Sequence, residues 1–163
     1  MIMDKFRNNF RIDSTRLKGY DYGREGAYYV TICVKNMECL FGEVICIDNS
    51  YSVKLTDIGQ VAYNNWIQIC RLHSYTYLDE FIVMPNHIHG IIAIVEQQNL
   101  NNDEKADSIY KNKFGPQNKN LPSIIRGYKA SVRSYAKINE IPFFWQPRYY
   151  DRVIRNAAEL ENI

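Results

Sequence analysis

Two of the three histidines in this 163-residue chain stand one residue apart, in Met84-Pro85-Asn86-His87-Ile88-His89-Gly90. Alternate side chains of an extended strand share a face. His87 and His89 therefore point the same way, their α-carbons about 6.6–6.8 Å apart, twice the strand rise. Two imidazoles so placed can converge on one cation. Ile88, Ile92 and Ile94 fall on the opposite face, where they can anchor the strand in a core. His-x-His alone is a weak metal signal, because packed or exposed histidines give the same pattern. Its position just after a Pro-Asn turn, with a basic helix downstream, raises its weight. The third histidine, His73, stands alone near a helix end. The cysteines Cys33, Cys39, Cys46 and Cys70 form no C-x-x-C pair, so they read as reduced packing thiols rather than zinc ligands.

A second group of residues is cationic. Arg126, Lys129, Arg133 and Lys137 recur at the three- and four-residue spacing that stacks side chains on one helix face. No acidic residue occurs between Asp107 and Glu140. A solvated helix face would normally intersperse acids, so contact with phosphates explains the row better. Further on, Phe143-Phe144-Trp145-Gln146-Pro147-Arg148-Tyr149-Tyr150-Asp151-Arg152, followed by Arg155, interleaves aromatics with arginines. That composition suits stacking on unpaired bases and gripping the backbone between them. About half of these aromatics are expected to pack in the fold instead.

Net charge hides this asymmetry. Twenty Lys and Arg against eighteen Asp and Glu leave only +2. Residues 1–35 carry seven basic and four acidic side chains, residues 36–110 three and ten, and residues 111–163 ten and four. Two basic ends around an acidic middle point to a polyanion partner met by the ends. No apolar run reaches the length of a membrane span, and the N-terminus lacks a secretory pattern. The expected location is the cytoplasm, with no membrane partner.

The elements that must position these groups can be read in order. Residues 1–26 form a basic, irregular arm, and residues 27–163 a single domain with a mobile loop at 97–120. Within the domain, Ala27–Val34 reads as a strand, and 44–47 with 51–55 as a hairpin around Asp48-Asn49-Ser50. A helix follows Thr56 to about Leu72. Tyr75–Met84 and Ile88–Val95 are strands joined by Pro85-Asn86, and Leu121–Ile138 is a helix. Its apolar seam is Leu121, Ile125, Tyr128, Val132 and Tyr135. Ile141–Tyr150 reads as short extended structure, and Asn156 as the cap of a final helix. This order suggests an α+β fold: a ferredoxin-like antiparallel sheet with helices packed on it.

The chain resembles the HUH single-tyrosine transposases, in particular the REP-associated tyrosine transposase group of bacteria. The matching stretches are RLKGYDY with AYYVTICVKNMECLFGEV, then FIVMPNHIHGIIAIV, IIRGYKASVRSYAK and FWQPRYYDRVIRNAAELENI, in the family's order over residues 16–163. The resemblance implies a DNA transposase: a single-strand DNA endonuclease and strand transferase acting on hairpin DNA through a tyrosine–phosphate intermediate. His87 and His89 match its metal pair, so the implied cofactor is a divalent metal, Mg²⁺ or Mn²⁺. The DNA contacts expected from the cationic row and the aromatic–arginine segment are Arg126, Lys129, Arg133, Lys137, Arg148, Arg152 and Arg155.

One departure accompanies the match. The resemblance places the nucleophilic tyrosine about ten residues beyond Asn156, near position 166, whereas the sequence given ends at Ile163. Tyr149 and Tyr150 match positions that are not catalytic in the family. The chain as given is therefore expected to lack strand cleavage. Three readings stay open: the enzyme, a hairpin-binding module without the nucleophile, and a histidine-lined metalloprotein of other function. A homodimer is also left open.

Overall fold

In this computed structural model residues 16–17, 19–95 and 119–161 are described throughout, together with the backbone of residues 5–6 and 9–10. Two short strands, β1 (Lys5–Phe6) and β2 (Asn9–Phe10), pair with each other. Next come β3 (Gly26–Cys33), the ribbon β4 (Gly42–Ile47) and β5 (Ser50–Leu55), then helices α1 (Asp57–Ile67) and α2 (Ile69–Leu72). The chain continues through β6 (Thr76–Val83), β7 (His87–Ile94), α3 (Leu121–Ile138), β8 (Tyr150–Ile154) and α4 (Ala157–Glu161). Most of the loop expected at 97–120 lies outside the described residues.

The central sheet has the order β6-β7-β3-β8 and is antiparallel at every pairing. With α1 between β3 and β6 and α3 between β7 and β8, this is the ferredoxin-like arrangement. The β4–β5 ribbon is inserted after the first sheet strand and forms a sheet of its own. Its turn puts Asp48 and Asn49 at φ 49 and 61, the left-handed backbone that matches the twist of a two-residue hairpin.

Alternation decides which face is buried. Tyr28, Val30 and Ile32 of β3 and Ile88, Ile92 and Ile94 of β7 are all buried, together with the α3 residues Leu121, Ile124, Ile125, Tyr128, Val132 and Ala136. Helix α1 adds Ile58, Ala62 and Trp66. The two helices meet where the Tyr128 hydroxyl donates to the carbonyl of Ala62 at 2.9 Å and the Trp66 ring sits edge-on to Tyr128. Helix α3 begins on a reciprocal cap, Asn120 accepting from the Ser123 amide and Ser123 from the Asn120 amide, with proline in its first turn.

Three expectations change. The helix expected to run on to Leu72 breaks at Gln68 into α1 and α2. Extended structure at Ile141–Tyr150 shrinks to a single bridge between Val34 and Trp145. The pairing strand comes later, at Tyr150–Ile154, because Pro147 lacks an amide to donate and Arg148 takes a left-handed φ of 67. Finally, the stretch around Tyr22 is not peripheral. Tyr22 is buried and stacks on Tyr28, with Tyr20 edge-on to both.

Candidate nucleic-acid and metal site

The sheet face turned away from α1 and α3 carries the histidines. Register sets their neighbours: His87 lies opposite Cys33, and His89 lies between Thr31 on β3 and Ile82 on β6. The two rings are 4.4 Å apart, roughly perpendicular. Both are half-buried, and burial lowers the pKa of each, with the neighbouring His87 adding to the effect on His89. Both imidazoles are therefore neutral at pH 7 and carry a lone pair for a cation.

Their outer nitrogens are held. Asn86 donates its side-chain amide to the carbonyl of Met37 at 3.2 Å, which turns its oxygen toward His87 Nδ1 at 2.6 Å. An amide oxygen only accepts, so His87 carries its proton on Nδ1 and leaves the Nε2 lone pair open. His89 Nδ1 lies 2.6 Å from the Tyr29 hydroxyl and 2.9 Å from that of Thr31, with the Tyr29 ring stacked on the imidazole. Hydroxyls can serve either tautomer, so whatever binds Nε2 sets the proton on His89. Such outer-shell partners orient imidazoles toward metals. The donor set thus fits a divalent cation at two positions. No group of three or more His, Cys, Asp or Glu that could hold a metal forms among the described residues; the remaining ligands would come from water, phosphate or other parts of the chain.

Two concavities flank the pair. One is lined by Thr31, Cys33 and the Gln146–Tyr150 segment. The other is lined by Tyr29, Asp79, Glu80, Ile82, His89 and Leu160, so helix α4 reaches the His89 side of the face. A bulge between Leu78 and Phe81 sets Asp79 and Glu80 together opposite Ile91.

The expected cations do not share one environment. Lys129 donates to the carbonyls of Gln146 and Arg148, both at 2.8 Å, and accepts the Trp145 indole N–H on its own carbonyl at 2.9 Å. Burial lowers its pKa. It clasps the 146–148 segment against α3 and holds Arg148 in its strained backbone. Arg133 lies over the Phe144 ring at 4.0 Å. Arg126, Lys137, Arg148, Arg152 and Arg155 are exposed. Arg152 pairs in register with Tyr29 and so belongs to the histidine face. The Arg155 amide donates to Glu159 at the start of α4.

The late tyrosines differ. Tyr149 is held by the Arg16 guanidinium at 3.2 Å, and burial raises its pKa far above the ordinary value. Nearby, Tyr22 is pushed up to about 12 by burial and by its hydrogen bond to Asp151. Tyr150 is exposed and lies opposite Thr31 on the histidine face. Sequence reasoning missed Asn86, Tyr29 and Thr31. The alternation Tyr29, Thr31, Cys33 in the first strand was the available signal, but only strand register brings it beside His89.

The fold is that of tyrosine transposases. A REP-associated tyrosine transposase bound to a REP hairpin superposes with a TM-score of 0.55 at 17% identity, over 93% of this chain and 67% of that one. A putative transposase from Deinococcus radiodurans gives 0.50 at 11%, over 91% and 92%. No family model matches the chain. It belongs to the same family as an uncharacterised protein of Haemophilus influenzae, to which it is 40% identical over 151 residues, spanning 88% of this chain and 78% of that protein.

Proposed function

We propose that this protein processes DNA in the manner of the HUH tyrosine transposases, holding single-stranded or hairpin DNA against the histidine face. The observation that carries the reading is the His87–His89 pair. Its rings are 4.4 Å apart, and both Nδ1 atoms are engaged by Asn86, Tyr29 and Thr31. When bound there, Mg²⁺ or Mn²⁺ would polarise a phosphate and offset charge on a departing 3′-oxygen. The chain's own residues do the rest. Arg152, on the same face, and Arg148, beside it, take phosphates near the pair. Arg155, beside α4, and Arg133, at the end of the sheet, are the next candidates for phosphates; Arg126 and Lys137 stand on α3, behind the sheet, and would meet only DNA that passes round its edge. Lys129 keeps the 146–148 wall in place. The tyrosine implied by the family resemblance would arrive on the helix that starts at Ala157, whose Leu160 already lines the His89 concavity.

Fluorescence anisotropy of an end-labelled DNA hairpin with a single-stranded flank, titrated with salt, tests the DNA-binding half of this reading. Affinity should fall with a log–log slope of about −0.7 per single-strand phosphate contact. Binding that is absent, or flat in salt, overturns it.

A further inference from the structure

At the end of the sheet, α3 meets the turn after β3 around one exposed aromatic ring. Phe144 is 51% exposed, although its neighbours Phe143 and Trp145 pack inward against Phe41. The Arg133 guanidinium lies 4.0 Å from its ring centroid and the Lys35 ammonium 5.4 Å. Neither cation forms an ion pair with a carboxylate of the described residues. The backbone under the ring is pinned: the Phe144 carbonyl accepts from the Lys35 amide at 2.9 Å, and the Gln146 amide donates to the Cys33 carbonyl at 2.9 Å. The Trp145 indole fixes the intervening residue to the Lys129 carbonyl. Exposure alone is ordinary for an apolar side chain; what sets Phe144 apart among the described residues is that two cations lie at its exposed ring.

The location bears on DNA. Lys35 is two residues beyond Cys33, whose register partner is His87, and its amide is bonded to the Phe144 carbonyl, so the platform lies past the His87 end of the pair. A DNA strand that runs from the pair off this end of the sheet passes it. We propose that Phe144 is a stacking platform for one unpaired nucleobase of the bound strand, and that Arg133 and Lys35 take the phosphates on either side of it. The proposal rests on the DNA-binding reading above and assigns that reading a specific subsite. Stacking on an aromatic ring tolerates any base, so this position contributes affinity and fixes the path of the strand without reading sequence. Arg133 covers a ring face at 4.0 Å, so a base that stacks there displaces the guanidinium, which swings out to meet the flanking phosphate.

The test uses the full chain and a DNA hairpin with a single-stranded flank, together with flanks carrying an abasic spacer at each position in turn. Phe144→Ala should lose about 5- to 150-fold in affinity for the intact flank. It should lose nothing further on the one probe whose spacer removes the stacked base. Phe144→Trp should restore binding, and Phe144→Leu, which keeps an apolar side chain and its packing, should not. A 2-aminopurine placed at the sensitive position should be quenched by the wild type and not by the leucine variant. The platform is refuted if Phe144→Leu binds as the wild type does, or if the alanine loss is equal for every spacer probe. If the wild type itself shows no salt-dependent binding of any probe, the DNA reading fails first and the platform with it.

Discussion

Gly90 lies between His89 and Ile91 on the strand that carries the metal pair, with its α-hydrogen turned toward the helices. A methyl group at that position would come 2.4 Å from Trp66 Cζ2 and 2.9 Å from the Phe81 β-carbon. Neither neighbour can yield cheaply: Trp66 is fully buried, and Phe81 is paired in register with Gly90 itself. Gly90→Ala would normally gain about 0.4–1 kcal/mol by restricting the unfolded chain. Overpacking a core costs about 1–3 kcal/mol. The clash should win, leaving a net loss of about 1–2 kcal/mol. For a chain of this length that is a fall in Tm of about 2–8 °C. Thermal unfolding by circular dichroism measures it, and Trp66→Phe provides the control, because the smaller ring removes the atom that collides. In that background Gly90→Ala should cost at least 1 kcal/mol less, roughly, as coupling between touching residues requires. An unchanged or raised Tm for the single variant would refute the claim that the indole is seated directly on this strand. Equal costs in both backgrounds would do the same.

Other expectations follow from the same geometry. Lys129→Met removes two charge-assisted bonds to the carbonyls of Gln146 and Arg148, each worth about 1.5–3 kcal/mol; the 146–148 segment should become protease-sensitive while α3 stays folded, and protection equal to the wild type would count against the clasp. All three imidazoles have pKa values lowered by burial. The unfolded chain therefore binds more protons than the folded one below the ordinary value of 6.5, so with chelator present stability should hold above that pH and decline as pH falls below it; a rise in stability on acidification would contradict this. Tyr150, exposed on the histidine face, should not be the nucleophile: any denaturation-resistant adduct with an end-labelled hairpin in Mn²⁺ should survive Tyr150→Phe, and its loss would make Tyr150 the nucleophile.

Much of the scaffold was legible because its signals are local. The β-branched and aromatic run from Ala27 and the Asn120-Leu121-Pro122 start of α3 each announce an element within a few residues, and the same-face projection of His87 and His89 follows from the two-residue period alone. What the chain hides depends on register and on distant contacts. Tyr29 and Thr31 reach His89 only because β3 pairs with β7, nearly sixty residues away in sequence. Lys129 has the spacing of its cationic neighbours, yet its ammonium is consumed by carbonyls of a segment that no helical period reveals. Likewise the last strand moved from the aromatic run to Tyr150–Ile154, since proline and a left-handed arginine end the earlier extended stretch. Of the four cysteines expected mostly to pack in the core or on strands, Cys33 and Cys70 are partly buried, while Cys39, in irregular structure, and Cys46, on the separate ribbon, are exposed.

The central claim is that His87 and His89 form a cation site which serves bound DNA. His73, bonded to Tyr75 near the end of α2, lies outside that face and is a built-in control. Mn²⁺ titrated into the complex of the chain with a hairpin bearing a single-stranded flank can be followed through the three imidazole proton resonances. The account predicts that the His87 and His89 signals broaden first and together, at lower Mn²⁺ with the hairpin than without it, while His73 stays sharp. Equal broadening of all three histidines, or no broadening of the pair at concentrations that saturate the DNA, would contradict it.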